Sequence, residues 1–220
     1  MIRAVIFDFD GTIADTIDAI QEAVNLTMRK YGFPEHDRQS VCSFISNGVR
    51  ALVQCSMPEH LQKDEALLDS VVRDYNEIYG QVYLHTDRAY DGIPELIRDL
   101  HDRGIKIGVL SNKRHDFVVR LSESVLIKGT VDAAQGVLSG KPTKPDPYLS
   151  QLVARALDVP LSECAMVGDS DVDIDTAKNA GMIHVGVSWG YREEAVLREK
   201  GAKYVASTPD ELGKILQTLI

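Results

Sequence analysis

The sequence predicts an α/β protein with a Rossmann-like three-layer α/β/α core, a parallel sheet and an inserted α-helical cap. Three observations predict it. Short apolar, β-branched runs alternate with amphipathic helical stretches over most of the chain, the pattern of βαβ units. One block near the N-terminus is helical throughout. Carboxylates or hydroxyls stand where several of the apolar runs end.

The expected strands are Ala4–Phe9, Ile105–Leu110, Ala165–Val167, Ile183–Val187 and, weakest in pattern, Tyr204–Ala206. Between them lie helices over Ile93–Arg103, Asp116–Ser124, Pro147–Leu157 and Asp173–Ala180, with Pro147 suited to a first helical position. From Thr16 to His85 no strand interrupts: Ile17, Ile20, Val24 and Met28 recur at helical spacing, as do Leu67, Leu68, Val71, Val72, Tyr75 and Tyr79. The expected division is therefore a core of residues 1–15 and 86–220 with a cap of 16–85. In parallel sheets ligands sit outside the carboxyl ends of the strands. Asp8, Ser111 and Asp169 fall at such ends, so three segments converge on one crevice.

Composition bounds the function. With 220 residues, 44% of them hydrophobic and 26% charged, the chain can bury a real core. The net charge of −9 disfavours nucleic acid as a partner. Cys42, Cys55 and Cys164 are widely spaced without a C-x-x-C pair, which predicts free thiols in a reducing cytosol. Met1 leads directly into a strand, and no apolar stretch approaches the roughly 20 residues of a membrane span. A cytoplasmic location without membrane contact is the expectation.

Four segments carry chemistry. In Asp8-Phe9-Asp10-Gly11-Thr12, strand alternation sends both carboxylates to one side. Like charges so placed suggest a hard divalent cation, and Gly11 lets backbone N–H groups approach an anion. A calcium loop starting at Asp8 fails, because Ile13 and Ala19 stand where Gly and Glu belong. Leu110-Ser111-Asn112-Lys113 offers a hydroxyl and an amide, either for a phosphate oxygen or to cap the next helix. In Gly140-Lys141-Pro142-Thr143-Lys144-Pro145-Asp146-Pro147, prolines stiffen a loop whose lysine is either a clamp for a phosphoryl group or an exposed turn residue. Gly168-Asp169-Ser170-Asp171-Val172-Asp173 places Asp169 and Asp173 on one face of a helical turn. Asp171 and Asp175 point away from that face and suit a helix N-terminus.

In this order the four motifs resemble the haloacid-dehalogenase-like superfamily of phosphatases, and the match spans nearly the whole chain. The helical insert resembles that superfamily's small α-helical cap. Asn47-Gly48-Val49-Arg50, Ser111-Asn112-Lys113 and Gly186-Val187-Ser188-Trp189-Gly190-Tyr191-Arg192 are similar to the phosphoglycolate phosphatase branch.

The resemblance implies a function. Asp8 is the nucleophile that forms an aspartyl-phosphate, and Asp10 protonates the leaving alcohol and then activates water. Mg²⁺ binds Asp8, the Asp10 main-chain carbonyl and Asp169, with Asp173 orienting a neighbour. Gly11, Ser111, Asn112 and Lys144 hold the phosphoryl oxygens. Lys141 competes with Lys144, which leads directly into a helix as in the resembled branch. From the cap, Asn47 and Arg50 are candidates for the substrate, Arg50 for a carboxylate, although a solvated helix arginine is an equal reading. Thr16, Lys113 and Arg192 stand at the edge of the site, and no histidine has a role. The substrate is a small phosphorylated metabolite, foremost 2-phosphoglycolate, with pyrophosphate or a sugar phosphate as alternatives. A catalytically silent binding relative is the reading from another class. A monomer or homodimer is expected.

Overall fold

Ala4-Val5-Ile6-Phe7 carries no polar side chain, and in the computed structural model it is strand β1 (Ala4–Phe7), wholly buried at the centre of a sheet. The structure describes every residue except Ser46, Asn47 and Asp87, with residues 84–86 described by backbone alone. After β1 come β2 (Ala14–Asp15), β3 (Arg88–Ala89), β4 (Lys106–Arg114), β5 (Ala133–Val137), β6 (Cys164–Gly168), β7 (Ile183–Val187) and β8 (Tyr204–Ala206). Six of these form one parallel sheet in the order β5-β4-β1-β6-β7-β8, while β2 and β3 make a small antiparallel ribbon.

The chain divides into two compact units, Met1–Asp15 with Arg88–Ile220, and Thr16–Asp87. The second consists of helices α1 (Ile17–Lys30), α2 (Arg38–Phe44), α3 (Val49–Ser56) and α4 (Glu65–Thr86). Its core draws on Ile20, Val24, Met28, Leu68, Val71 and Tyr75, the residues that recur at helical spacing. The first unit adds α5 (Ile93–Asp102), α6 (His115–Val125), α7 (Tyr148–Leu157), α8 (Asp171–Ala180), α9 (Glu194–Glu199) and α10 (Pro209–Leu219). Leu149, Val153 and Leu157 of α7 and Ala177 of α8 pack against Ile6, Leu110 and Met166 on one sheet face. Val5 and Phe7, which alternate with Ile6, are equally buried, so the other face is covered too. None of the described helices is long and apolar enough to cross a membrane.

The architecture is the one the sequence predicts, with local differences. Strand β1 stops at Phe7, because the Phe9 carbonyl accepts from the N–H groups of Thr12, Ile13 and Ala14 and turns the chain. Asp8 still donates its N–H to the Val167 carbonyl at 2.8 Å just past the strand, and Asp10 forms an isolated bridge with Ala14. Strand β4 runs on to Arg114 through a register shift against β5 after Leu110, a distortion of the kind that re-aims side chains. Helix α7 starts at Tyr148, so Pro147 is its N-cap rather than its first helical residue.

One half-buried histidine with buried ring nitrogens lies outside the site. His184 stands in β7 opposite Met166 of β6, and among the described residues neither buried ring nitrogen has a hydrogen-bond partner. Burial lowers its pKa to about 4, against a smaller opposing pull from Asp173. A neutral histidine in the fold and an ordinary one in the unfolded chain means stability present above about pH 6.5 and lost as pH falls towards 4. The expected loss is roughly 3 kcal/mol. Urea melts of His184→Leu between pH 4 and 7, with Mg²⁺ present, should lack this acid-side loss; a loss equal to that of the unchanged protein would show that other groups cause it.

Candidate active site

The carboxyl ends of β1, β4 and β6 bound a crevice, and each contributes charge. Asp8 follows β1 and is buried; its N–H donates to the Val167 carbonyl at 2.8 Å, and its Oδ1 accepts from the Phe9 N–H at 2.7 Å. Asp169 follows β6 and is 1% exposed. The Thr12 hydroxyl donates to its Oδ1 at 3.2 Å and the Tyr191 N–H to its Oδ2 at 2.6 Å. Close packing makes this geometry possible. Gly11 takes φ of +75°, and a Cβ there would overlap the Asp169 carboxylate. At Gly190 a Cβ would collide with the Gly11 carbonyl and with Asp169.

The two loop lysines have different surroundings, and Lys144 is the one among the carboxylates. Its Nζ lies 2.8 Å from Asp8 Oδ1 and 2.7 Å from Asp173 Oδ1, and the residue is 3% exposed. Lys141 instead lies over the ring of Tyr148, its Nζ 5.9 Å from the centroid. Asp173 Oδ2 accepts from the Ser170 hydroxyl at 2.6 Å and from the Ser170 N–H at 3.1 Å. That pairing is the capping box that starts α8. Both oxygens of Asp173 thus have donors, so it orients Lys144 and the helix start.

Asn112 spends its carboxamide on the same loop, donating to the Lys144 carbonyl at 3.1 Å and accepting from the Lys144 N–H at 2.8 Å. Asn112 thereby ties the second motif to the lysine loop, with a second carboxamide hydrogen left to donate. Ser111 is 1% exposed and accepts from the Lys113 N–H at 3.3 Å, leaving its hydroxyl hydrogen to donate. It does not cap the following helix, whose N-cap is Arg114. Asp10 forms a second lysine pair, its Oδ1 2.7 Å from Lys113 Nζ.

The electrostatics ask for a cation. Ligand oxygens of Asp8, Asp169 and Asp173 lie within 4.8 Å of one another. Among the described residues, the ammonium that pairs with these three carboxylates is that of Lys144, on Asp8 and Asp173. Burial first, then the charge of Asp173, pushes Asp8 well above the usual carboxylate range. The same two causes raise Asp169 to about 7, against hydrogen bonds from Tyr191 and Thr12. Hard oxygen donors carrying uncompensated negative charge fit a divalent ion such as Mg²⁺. Asp8 and Asp169, which follow adjacent strands of the sheet, would hold it.

The raised Asp169 pKa has a measurable sign. In metal-free protein its contribution to stability is fully present below pH 3.8 and lost as pH rises through about 7. Magnesium at pH 8 should raise the melting temperature by about 5 °C or more, and Asp169→Asn should abolish that gain. An equal gain in the variant would remove Asp169 from the metal site.

Thr12 and the Tyr191 backbone are contacts that reading the sequence missed. The only available signal was the Ser188-Trp189-Gly190-Tyr191-Arg192 run. There Trp189 Nε1 donates to the Thr12 carbonyl at 3.1 Å, anchoring the run on the first motif. Arg50, in the helical unit, pairs with Asp69 and Glu65 and is about half exposed. Asn47 lies outside the described residues.

A parallel sheet with an acidic crevice built from four ordered motifs defines a class, and a profile of the haloacid dehalogenase-like hydrolases matches residues 5–187. The chain belongs to that family. Within it, the chain is 28% identical over 224 residues to a phosphoglycolate phosphatase of Aquifex aeolicus, covering 99% of this chain and 98% of the relative. A phosphoglycolate phosphatase of Pseudomonas savastanoi is 28% identical over 217 residues, covering 97% of this chain and 78% of the relative. Among solved structures, a Lactobacillus delbrueckii protein provisionally assigned as a phosphoglycolate phosphatase superposes with a TM-score of 0.89 at 28% identity, covering 97% of this chain and 98% of that one. Rhodobacter sphaeroides CbbY in complex with phosphate shares the fold, with a TM-score of 0.77 at 23% identity over 97% of each chain.

Proposed function

We propose that this protein is a Mg²⁺-dependent phosphatase that works through an aspartyl-phosphate on a small phosphorylated metabolite, foremost 2-phosphoglycolate. The observation that carries the reading is the buried lysine of the third motif, whose ammonium touches both Asp8 and Asp173. A binding module has no need to bury a carboxylate at raised pKa beside a fixed cation, whereas phosphoryl transfer needs both.

Asp8 attacks phosphorus; the bond from phosphorus to the ester oxygen breaks, and Asp10 delivers a proton to that oxygen. Asp10, now ionised, takes a proton from the water that cleaves the aspartyl-phosphate and restores Asp8. Lys144 and the Ser111 hydroxyl meet the charge on the phosphoryl oxygens, and Asn112 and Asp173 keep Lys144 in place. A bound Mg²⁺ would neutralise phosphoryl charge beside Asp8 and Asp169. Recognition of the substrate by Arg50 belongs to the same proposal. So do a cytoplasmic location, suited to three free cysteines, and a monomeric or homodimeric state.

Phosphate release should be measured with and without Mg²⁺ from 2-phosphoglycolate, pyrophosphate, sugar phosphates and nucleotides. Metal-dependent turnover with 2-phosphoglycolate preferred at least tenfold is expected. Preference for pyrophosphate or a sugar phosphate would keep the chemistry and replace the substrate. No release from any of them would overturn the phosphatase reading.

A further inference from the structure

The stretch from Ser188 to Tyr191, between β7 and α9, is fastened at three points. The Ser188 N–H donates to the Ala206 carbonyl of β8 at 3.0 Å. The Trp189 Nε1–H donates to the Thr12 carbonyl at 3.1 Å, and the Tyr191 N–H to Asp169 Oδ2 at 2.6 Å. Between those two, Gly190 lies so close to the Gly11 carbonyl and to Asp169 that a Cβ would collide with both. Thr12 closes a circuit, since its hydroxyl donates to the other oxygen of Asp169 at 3.2 Å. The contacts thus run from Asp169 to Thr12, from Thr12 to Trp189, and through Gly190 to Tyr191 and back to Asp169. The indole ring also stands 6.4 Å from that of Tyr90, whose N–H donates to the Ile13 carbonyl at 2.9 Å. Trp189 therefore meets the chain both before β2, at Thr12, and after β3, at Tyr90.

We propose that Trp189 is a positioning residue for the divalent ion, holding Thr12 and thereby the direction of the Asp169 carboxylate, a role that rests on the Mg²⁺ reading above and deepens it. A carboxylate oxygen has two lone pairs, so each oxygen of Asp169 can accept its protein donor and still offer one to a cation. Donors on both oxygens keep the carboxylate from turning about its Cβ–Cγ bond. Those donors stand on different segments, Thr12 in the turn after β1 and Tyr191 in the stretch before α9. The indole bond joins the two segments, and Gly190 lets them approach. Without that bond both donors could drift, and an ion would have to order the carboxylate as it binds, which weakens binding. Groups that orient a metal ligand in this way typically contribute roughly 10–100-fold to metal affinity.

Mg²⁺ binding to metal-free protein, measured by isothermal titration calorimetry without substrate, tests this role apart from catalysis. Trp189→Phe keeps an aromatic ring near Tyr90 and removes the N–H. It should weaken Mg²⁺ binding about tenfold. A folded variant that binds Mg²⁺ within about threefold of the unchanged protein would overturn the proposal and leave Trp189 as a packing residue. Should Trp189→Phe fail to fold, the unchanged protein still decides. Trp189 is the only tryptophan of the chain, so a single indole N–H resonance reports on the bond. Coupling between two sites is reciprocal, so saturating Mg²⁺ should slow hydrogen exchange of that N–H about tenfold. Exchange at the same rate with and without Mg²⁺ would overturn the proposal. Absence of any Mg²⁺ binding to the unchanged protein would instead sink the metal site itself, and this role with it.

Discussion

Replacing Asp8 by asparagine (Asp8→Asn) should lower turnover of every substrate by ~10⁴-fold or more while leaving the fold intact. The loss follows from removing the group that would carry the phosphoryl intermediate, which no neighbour can replace. Asp173 faces Lys144 with both oxygens engaged, and the oxygens of Asp169 accept from Thr12 and Tyr191. Stability should move the other way. Burial and the charge of Asp173 hold the Asp8 carboxylate at a raised pKa, so in metal-free protein at pH 8 its ionised form works against folding. The neutral amide removes that cost. Metal-free Asp8→Asn should therefore melt no lower than the unchanged protein. A silent binding relative predicts instead that biological activity survives the change. A melting temperature several degrees lower would show that the Asp8–Lys144 pair stabilises the metal-free fold on balance.

Lys144→Met should damage both activity and stability. Burial works against the lysine's charge, but Asp173 and Asp8 outweigh it and hold the ammonium above its ordinary pKa. Removing the ammonium leaves buried carboxylates facing each other, at a cost of about 3–5 kcal/mol. Turnover should fall by ~10³-fold as the phosphoryl oxygens lose their fixed cation. Adding Asp173→Asn to Lys144→Met should recover part of the stability and none of the activity, because the two residues share one interaction. Calorimetry of the two single variants and the double variant measures this directly. Strictly additive losses would mean that the 2.7 Å contact carries no coupling.

The two variants also show where reading the sequence succeeds. Asp8, Lys144 and Asp169 stand in short motifs at or after strand ends, so local pattern alone brings them into question. The sheet topology then places those ends together. The partners are harder to see. Asn112 invites attention because an amide at a strand end can donate to phosphate; only the folded loop shows its carboxamide also bonded to Lys144. Lys113 stands at the edge of the site in the sequence, and the structure shows it buried with its ammonium on Asp10. Thr12 and Tyr191 meet on Asp169 from 157 and 22 residues away. No periodicity or motif spacing encodes such a meeting. Patterns with a short period are visible in sequence, whereas close packing between distant turns is not.

The central place of β1 also has a consequence for how the protein is made. This strand leaves the ribosome early, yet its two sheet neighbours, β4 and β6, are translated long afterwards. Trp189 reaches Thr12 across 177 residues. At about 5–20 residues per second, a nascent chain spends roughly 5–20 seconds with its most apolar strand unpaired on both edges. No hydrolytic activity can arise in that interval, so a half-made chain cannot consume metabolites. It is also the period when chaperone binding and aggregation compete for the chain, and slowing translation beyond β4 should raise the insoluble fraction more than slowing it beyond β7.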